Sequence, residues 1–331
     1  MIDRSWKGKP GEIARGLYKI EIPTPFSVGP INLYLIEGEK LTLVDAGPLT
    51  KEAWNILSKG LGQYGYKISD IQQVILTHQH VDHCGLLEQI RKASGATTIA
   101  HPLAVPYIQL NEEFMVYHDQ FFKDLYEECG VPKEYFTIID EFHQELMEFS
   151  EPSQIDEVVG HEQTVPHLSE WKVLYTPGHT QSHIALYREE DRVLIAGDHI
   201  IKHVSSNAFI EPPQNQGSQR PMTLLQYRTS LGMCANKNID IVFSAHGEAI
   251  TNHQELILQR LHKNWDRGNR LRGFLQDGEK TAYELSRLLF PHLNHTVLPL
   301  TISETLGHLD LLTTQYQIGV TKKDGVLYYS L

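Results

Sequence analysis

Residues 77–85 read THQHVDHCG, which puts His78, His80, Asp82 and His83 inside six consecutive positions. Imidazole nitrogen and carboxylate oxygen suit zinc, manganese or ferrous iron, whereas magnesium and calcium demand mostly oxygen. A regular strand would present His78, His80 and Asp82 on one face; a loop leaving a strand end lets all four splay around a point. A histidine pair alone is a weak signal. Four such side chains directly after the apolar run QQVIL are a strong one. Cys84 adjoins the cluster, and its neighbours favour a small packing residue over a further ligand.

More metal-type residues stand where later apolar runs end: His179 in YTPGHTQSH, Asp198 in LIAGDHI and His246 in VFSAHGE. In open α/β architectures functional groups collect at strand ends, so these segments and the first should converge on one crevice.

The elements that must position them follow from periodicity. GLYKIEI, INLYLIEG, KLTLVDAG, QQVILT and ATTIA read as strands, KEAWNILSKGLGQYGY and residues 85–94 as helices, and the repeated strand, turn and helix units give an α/β class. Two segments between 103 and 150 break the rhythm. Tyr107, Leu110, Phe114, Tyr117, Phe121 and Leu125 recur at three- and four-residue intervals, as do Phe136, Ile139, Phe142, Leu146 and Phe149, so an inserted helical hairpin is expected. Its aromatic stripes are either ordinary core or the underside of a lid. Strands resume with EWKVLYTP, HIALYRE, RVLIAGD and IDIVFSAHG, followed by a long helix through HQELILQRLHKNWDRGNRLRGFL. Beyond it, Thr281 and Glu284 form a capping-box pattern, SETLGHLDLLTTQY reads as a helix, and Asp324-Gly325 turns a hairpin.

The chain has 331 residues, 41% of them hydrophobic, and no apolar run near the roughly 20 residues that span a bilayer. MIDRSWKGKP lacks the apolar core of a secretory signal, and three widely spaced cysteines, Cys84, Cys129 and Cys234, suit a reducing compartment, so a cytosolic protein without disulfides or membrane contact is expected. The net charge of −12 is concentrated: residues 103–160 carry 14 Asp and Glu against Lys123 and Lys133, while the remainder balances at 27 and 27. Such an acidic insertion repels nucleic acid and acidic membranes, or simply solvates two helix faces.

The set HxHxDH at 78–83, PGHT at 177–180, GD at 197–198 and HG at 246–247 resembles the metallo-β-lactamase superfamily of metallohydrolases, with LVDAG (Asp45) similar to its early structural motif. The resemblance covers about residues 15–250 and implies a four-layer αβ/βα sandwich. It further implies that His78, His80 and His179 bind one divalent ion, that Asp82, His83 and His246 bind a second, and that Asp198 bridges them. Two ions, zinc first with iron or manganese as alternatives, roughly 3.5 to 4 Å apart hold a bridging hydroxide and polarise the oxygen of the group it attacks, so the reaction class is hydrolysis. Asp82 has a second, catalytic role in orienting the hydroxide and accepting its proton. His183 is a catalytic candidate, donating to an oxyanion or orienting a ligand, with a buried core histidine as the alternative. His199 faces away from Asp198 on a strand and reads as structural.

Asp198 in place of a cysteine departs from zinc β-lactamases of the main subclass, so antibiotic hydrolysis is not expected. The C-terminal segments resemble the winged-helix tail of a branch that includes β-lactamase-like endoribonucleases, β-lactamase-like protein 2 and glyoxalase II-like thioesterases. The expected organisation is a hydrolase domain over 1–255, with its helical insertion at about 103–160, and a linker helix and winged-helix domain over 256–331. A small ester, thioester or lactone is the preferred substrate. Arg260, Lys263, Arg267, Arg270 and Arg272 support a phosphodiesterase or single-stranded RNA nuclease, although pairing with the acidic insertion is the preferred account of them. A nucleic-acid-binding regulator is disfavoured because SETLGHLDLLTTQY has no Lys or Arg, which leaves the module structural or a contact in a homodimer.

Overall fold

The computed structural model describes residues 9–331; the expectation of no secretory signal falls largely on residues outside that range. Strands β1 (Glu12–Ala14), β2 (Leu17–Ile22), β3 (Ile31–Ile36), β4 (Thr42–Val44), β5 (Gln73–Ile75), β6 (Thr97–Ala100) and β7 (Glu157–Val158) form a seven-stranded sheet in chain order. Neighbours are antiparallel up to β4 and parallel from β4 to β7. A second, five-stranded sheet runs β12-β11-β10-β9-β8, made of β8 (Thr164–Val165), β9 (Leu168–Tyr175), β10 (Ile184–Arg188), β11 (Val193–Gly197) and β12 (Ile241–Ser244).

The sequence of β3, INLYLI, shows why the sheets stack. All six residues are buried. Ile31, Leu33 and Leu35 face α1 (Lys51–Gln63) and the helices α2 (Val81–Cys84) and α3 (Leu87–Ser94), while Tyr34 and Ile36 meet Trp171, Val173, Ile184 and Ile195 of the second sheet. A strand apolar on both faces must be covered on both. Helix α1 is started by Thr50, whose side chain accepts the Ala53 N–H at 3.0 Å, and buries Ala53, Leu57 and Leu61 as one stripe. The outer face of the second sheet is covered by α7 (Thr223–Ala235) and α8 (His253–Phe274) through Leu224, Tyr227, Leu231 and Ile257. Helix, sheet, sheet and helix make four layers.

The insertion comprises α4 (Val105–Ile108), α5 (Glu112–Glu128) and α6 (Phe136–Met147). Its helical part ends before β7, which joins the edge of the first sheet beside β6. Leu125, Tyr126, Cys129 and Ile139 share a core with Leu271, Leu285, Leu298, Ile302 and Leu306 of the C-terminal segments, so this part of the stripe is core. Those segments contain α9 (Ala282–Leu289), α10 (Leu298–Thr314) and a third sheet, β13-β15-β14, from β13 (Lys280–Thr281), β14 (Gly319–Lys323) and β15 (Val326–Ser330). The Thr281–Glu284 capping box forms. Helix α10 starts at Leu298, five residues before Ser303, because Pro299 in its first turn fits a helix start rather than a break. Twelve of its 17 residues are buried.

The pairing of α8 cations with the acidic insertion is corrected for two residues. Arg260 is buried and donates to the carbonyls of Ile201 (3.2 Å) and Lys202 (2.9 Å), and Arg267 pairs with Glu304 of α10. Lys322 does reach the insertion, at Glu128 (2.6 Å). No helix among the described residues is long and apolar enough to cross a membrane, and all three cysteines are buried and free.

Gly178, in the turn that delivers His179, has φ of +135°, and a Cβ there would collide with the backbone of Tyr227 on α7. Gly178→Ala is therefore expected to destabilise the protein by about 3 kcal/mol, combining backbone strain with collision. Thermal unfolding checks this, and an unchanged midpoint would show that the turn has slack.

Candidate metal centre

The donors stand on loops at one rim of the two sheets. His78, His80, Asp82 and His83 follow β5, with Asp82 and His83 in α2; His179 lies between β9 and β10, Asp198 follows β11 and His246 follows β12. The rim is tied together by Ile31, which bridges to His246, and by Asn32, whose Nδ2 donates to the carbonyls of Ser244 (3.0 Å) and Gly247 (2.8 Å).

All seven donors converge. His78 Nε2 lies 3.0 Å and His179 Nε2 3.1 Å from His80 Nδ1. Asp82, His83 and His246 form another group, with Asp82 Oδ2 3.4 Å from His246 Nε2 and 3.9 Å from His83 Nε2. Asp198 stands between them: its Oδ2 is 3.4 Å from His179 Nε2, while its Oδ1 is 3.5 Å from His83 Nε2 and 3.4 Å from His246 Nε2.

The outward nitrogens of three of these imidazoles are engaged. His83 Nδ1 faces Asp45 Oδ2 at 2.9 Å, His179 Nδ1 donates to the Asn207 carbonyl at 2.9 Å, and His246 Nδ1 donates to the Pro30 carbonyl at 2.8 Å. A hydrogen on Nδ1 directs the Nε2 lone pair inward, the arrangement that orients metal-bound histidine. Asp45, itself at φ +62°, also accepts the Thr77 N–H at 2.8 Å.

Burial, reinforced by neighbouring imidazoles, lowers the pKa of His78 well below the usual histidine value and pushes His80 down to about 3; burial also lowers His179. These three are neutral donors. Burial opposes charge on His83 and His246 too, but Asp45, Asp82 and Asp198 outweigh it at His83, and Asp198 and Asp82 at His246, so both pKa values rise. The carboxylates thus demand positive charge, which a proton or a cation can supply. His83 Nε2, His246 Nε2 and Asp198 Oδ1 are buried without a hydrogen-bond partner. Uncommitted buried donors of this kind are costly, and a tetrahedron with metal–nitrogen bonds of about 2 Å has edges of about 3.3 Å, close to the separations above. The residues fit divalent cations.

His183 requires a correction as an oxyanion donor, while its contacts accord with its other expected role, orienting a ligand. It is fully buried; its Nδ1 lies 2.8 Å from Thr176 Oγ1, and its Nε2 accepts the backbone N–H of Asp198 at 3.1 Å. With both nitrogens committed it holds Asp198 in place and has no donor for an oxyanion. His199 is buried against Tyr227 and lies outside the donor groups. Cys84 donates to the Gln79 carbonyl at 3.2 Å, and burial pushes its thiol up to about 11, so it packs rather than ligates.

Sequence reasoning missed Thr77, Asn207, Phe209 and Glu211. Phe209 packs edge-on against His80 and His179, with ring centroids 5.0 and 5.3 Å away. Glu211 receives hydrogen bonds from Gln79 and Gln181. No spacing announces these residues; a lone acid before Pro-Pro was the sole trace of Glu211.

The metallo-beta-lactamase superfamily profile matches residues 27–246. The chain belongs to this superfamily. It is 37% identical over 310 residues to the Bacillus subtilis protein named "Probable metallo-hydrolase YqjP", covering 94% of this chain and 96% of the relative. A Caenorhabditis elegans "Beta-lactamase-like protein 2 homolog" is 24% identical over 260 residues, 78% of this chain and 70% of the relative. The crystal structure of metallo-beta-lactamase family protein TTHA1429 from Thermus thermophilus superposes with a TM-score of 0.80 at 27% identity, covering 95% and 98% of the two chains. A beta-lactamase domain protein from Burkholderia ambifaria, 22% identical, shares the fold with a TM-score of 0.79 over 96% and 93%. Superfamily membership, relatives named as metallo-hydrolases and the convergent donors make this metallo-β-lactamase-superfamily chain a metal-dependent hydrolase.

Glu211 offers a test of the electrostatics beside the centre. Burial pushes its carboxyl up to about 7 from the usual 4.5. A raised carboxyl contributes stability that is fully present below about 4.5 and lost as pH rises through about 7, worth about 3 kcal/mol at 1.36 kcal/mol per unit. Chelator-treated Glu211→Gln is therefore expected to show a flatter fall in stability than wild type between pH 5 and 7. Denaturant unfolding across that range measures it, and equal slopes would contradict the assignment.

Proposed function

We propose that the centre is dinuclear, with His78, His80 and His179 holding one ion, Asp82, His83 and His246 the second, and Asp198 shared. The observation that carries this reading is the division of Asp198, which turns one oxygen toward His179 and the other toward His83 and His246. Zinc suits the donors, and iron or manganese fit the same set. Two such ions supply Lewis acidity and a water ionised near neutral pH. Burial works against charge on Asp82, but His83 and His246 outweigh it and lower its pKa, so the carboxylate is ready to take a proton from the attacking water. His183 and Asp45 contribute by position: one fixes the backbone of Asp198, the other the ring of His83.

The substrate we propose is a small ester, thioester or lactone. Phe209 gives the first histidine group an apolar wall, and the acidic insertion disfavours a polyanion. We assign α9, α10 and the third sheet to a winged-helix module of structural or dimer-forming type. Helix α10 is largely buried and without Lys or Arg, and Lys322 and Lys323 are already paired with Glu128 and Glu279, so little basic surface is left there for nucleic acid. Three free thiols accord with a cytosolic location.

Elemental analysis of purified protein is expected to find close to two metal equivalents per chain. A substrate panel is expected to show turnover of thioesters or lactones and none of phosphodiesters. Asp198→Ala should lower kcat/KM more than about a hundredfold, beyond the loss typical of an outer-shell partner, and reduce metal content. Full metal content in that variant would remove the bridging role, and phosphodiester cleavage without acyl turnover would replace the substrate class.

A further inference from the structure

Gln79 stands between His78 and His80, and Gln181 follows two residues after His179. The Glu211 carboxylate reaches both. Its Oε1 accepts from Gln79 Nε2 at 2.6 Å, and its Oε2 accepts the backbone N–H of Gln181 at 2.7 Å. The network continues, because Gln79 Oε1 accepts from the Ser182 hydroxyl and Gln181 Nε2 donates to Gln226 Oε1 at 2.8 Å. Glu211, Gln79, Gln181 and Ser182 are all buried. The stretch of chain that carries Glu211 is itself anchored to α10: the Ile210 N–H donates to Ser303 Oγ at 2.6 Å, and Asn207 Nδ2 donates to the Leu300 carbonyl at 3.0 Å.

We propose that Glu211 is a positioning residue for the metal centre, joining the loop of His78 and His80 to the loop of His179 so that the first three donors keep their spacing before an ion arrives. This rests on the assignment of those histidines as ligands. The physical need is clear. Three imidazole lone pairs aimed at one point repel one another, and His80 and His179 stand on loops that follow strands of different sheets; the two loops meet directly through the Ile184 N–H on the Thr77 carbonyl (2.9 Å) and the Ser182 hydroxyl on Gln79, and Glu211 ties both to a third segment. Each of the two Glu211 carboxylate oxygens accepts from a donor on a different loop, which makes the side chain a bracket between them, and its connection to α10 sets the bracket against a rigid helix. Deepening this preorganisation does not alter the ligands themselves, so it acts on affinity.

An exchange of the two side chains tests the bracket. At pH 8, above the raised Glu211 value of about 7, Gln79→Glu alone sets two carboxylates against each other across the 2.6 Å contact. Adding Glu211→Gln reverses the roles: the new amide at 211 donates to position 79 and accepts from the Gln181 N–H, while the new carboxylate at 79 still accepts from Ser182. Zinc affinity, measured by competition with a chromophoric chelator at a temperature where each variant is folded, is expected to fall about tenfold in Gln79→Glu. The double variant should return to within about threefold of wild type. A purely structural role would shift the unfolding midpoint and leave affinity unmoved. If Gln79→Glu does not fold, Glu211→Ala is read the same way, with about a tenfold loss expected. Wild-type affinity in Gln79→Glu or Glu211→Ala, or a double variant as weak as Gln79→Glu, overturns the bracket. Failure of the wild type to bind zinc overturns the ligand assignment, a different result from a wild type that binds normally while its variants match it.

Discussion

Donor atoms aimed at one point repel one another, and the rest of this structure serves to hold them there. The interior accepts seven such groups only because they are braced from outside: Asp45 behind His83, the Asn207 carbonyl behind His179, the Pro30 carbonyl behind His246 and His183 behind the backbone of Asp198. Removing water from carboxylates without pairing them is expensive. Asp82 and Asp198 therefore bias the centre toward positive charge before any chemistry is considered, and the raised pKa values of His83 and His246 register that bias.

The bracing explains the architecture. Parallel strands β4, β5 and β6 end at one rim, as do β11 and β12, and the turn between β9 and β10 brings His179 there. Two sheets are needed because neither alone supplies both carboxylates and all five histidines. The C-terminal segments belong to the same construction. Helix α10 grips residues 207–210 through Leu300 and Ser303, and that stretch provides both the acceptor for His179 and the ring of Phe209. The insertion shares its core with α9 and α10, so elements far apart in sequence close over one scaffold.

What could be read in the sequence was whatever has a local pattern. The candidate donors crowd into short strings at strand ends, and β3 and α1 carry unmistakable periods, so the α/β class and the candidate donors were legible, while the four layers and the grouping of the donors came from the resemblance to the superfamily. The supporting residues were not legible. Glu211 acts through contacts 132 and 30 residues away, and Asn207 through its backbone carbonyl, for which no residue type is diagnostic. For His183 the residue type left oxyanion donation, ligand orientation and a core role open, and only its two neighbours, Thr176 and the Asp198 N–H, reveal that its nitrogens are taken. The pattern alone starts α10 at Ser303, whereas the helix begins at Leu298 with Pro299 in its first turn, where the missing N–H costs nothing.

Metal binding releases free energy that a protein can use either to organise its loops or to hold the ion. Here the loops have little left to organise. Asp45 is locked in a left-handed conformation by the Thr77 N–H and hydroxyl, Asn32 ties the two sheets across the rim, and the rings of His83 and His246 are oriented by protein acceptors. Each of these contacts is made between protein groups. The folding free energy, carried by three apolar layers between helices and sheets, has thus already met the repulsion among the donors. An entering ion relieves that repulsion instead of reshaping the chain, so its binding energy appears as affinity and as a rigid centre, the condition under which a small error in ligand position does not propagate to the reacting atoms.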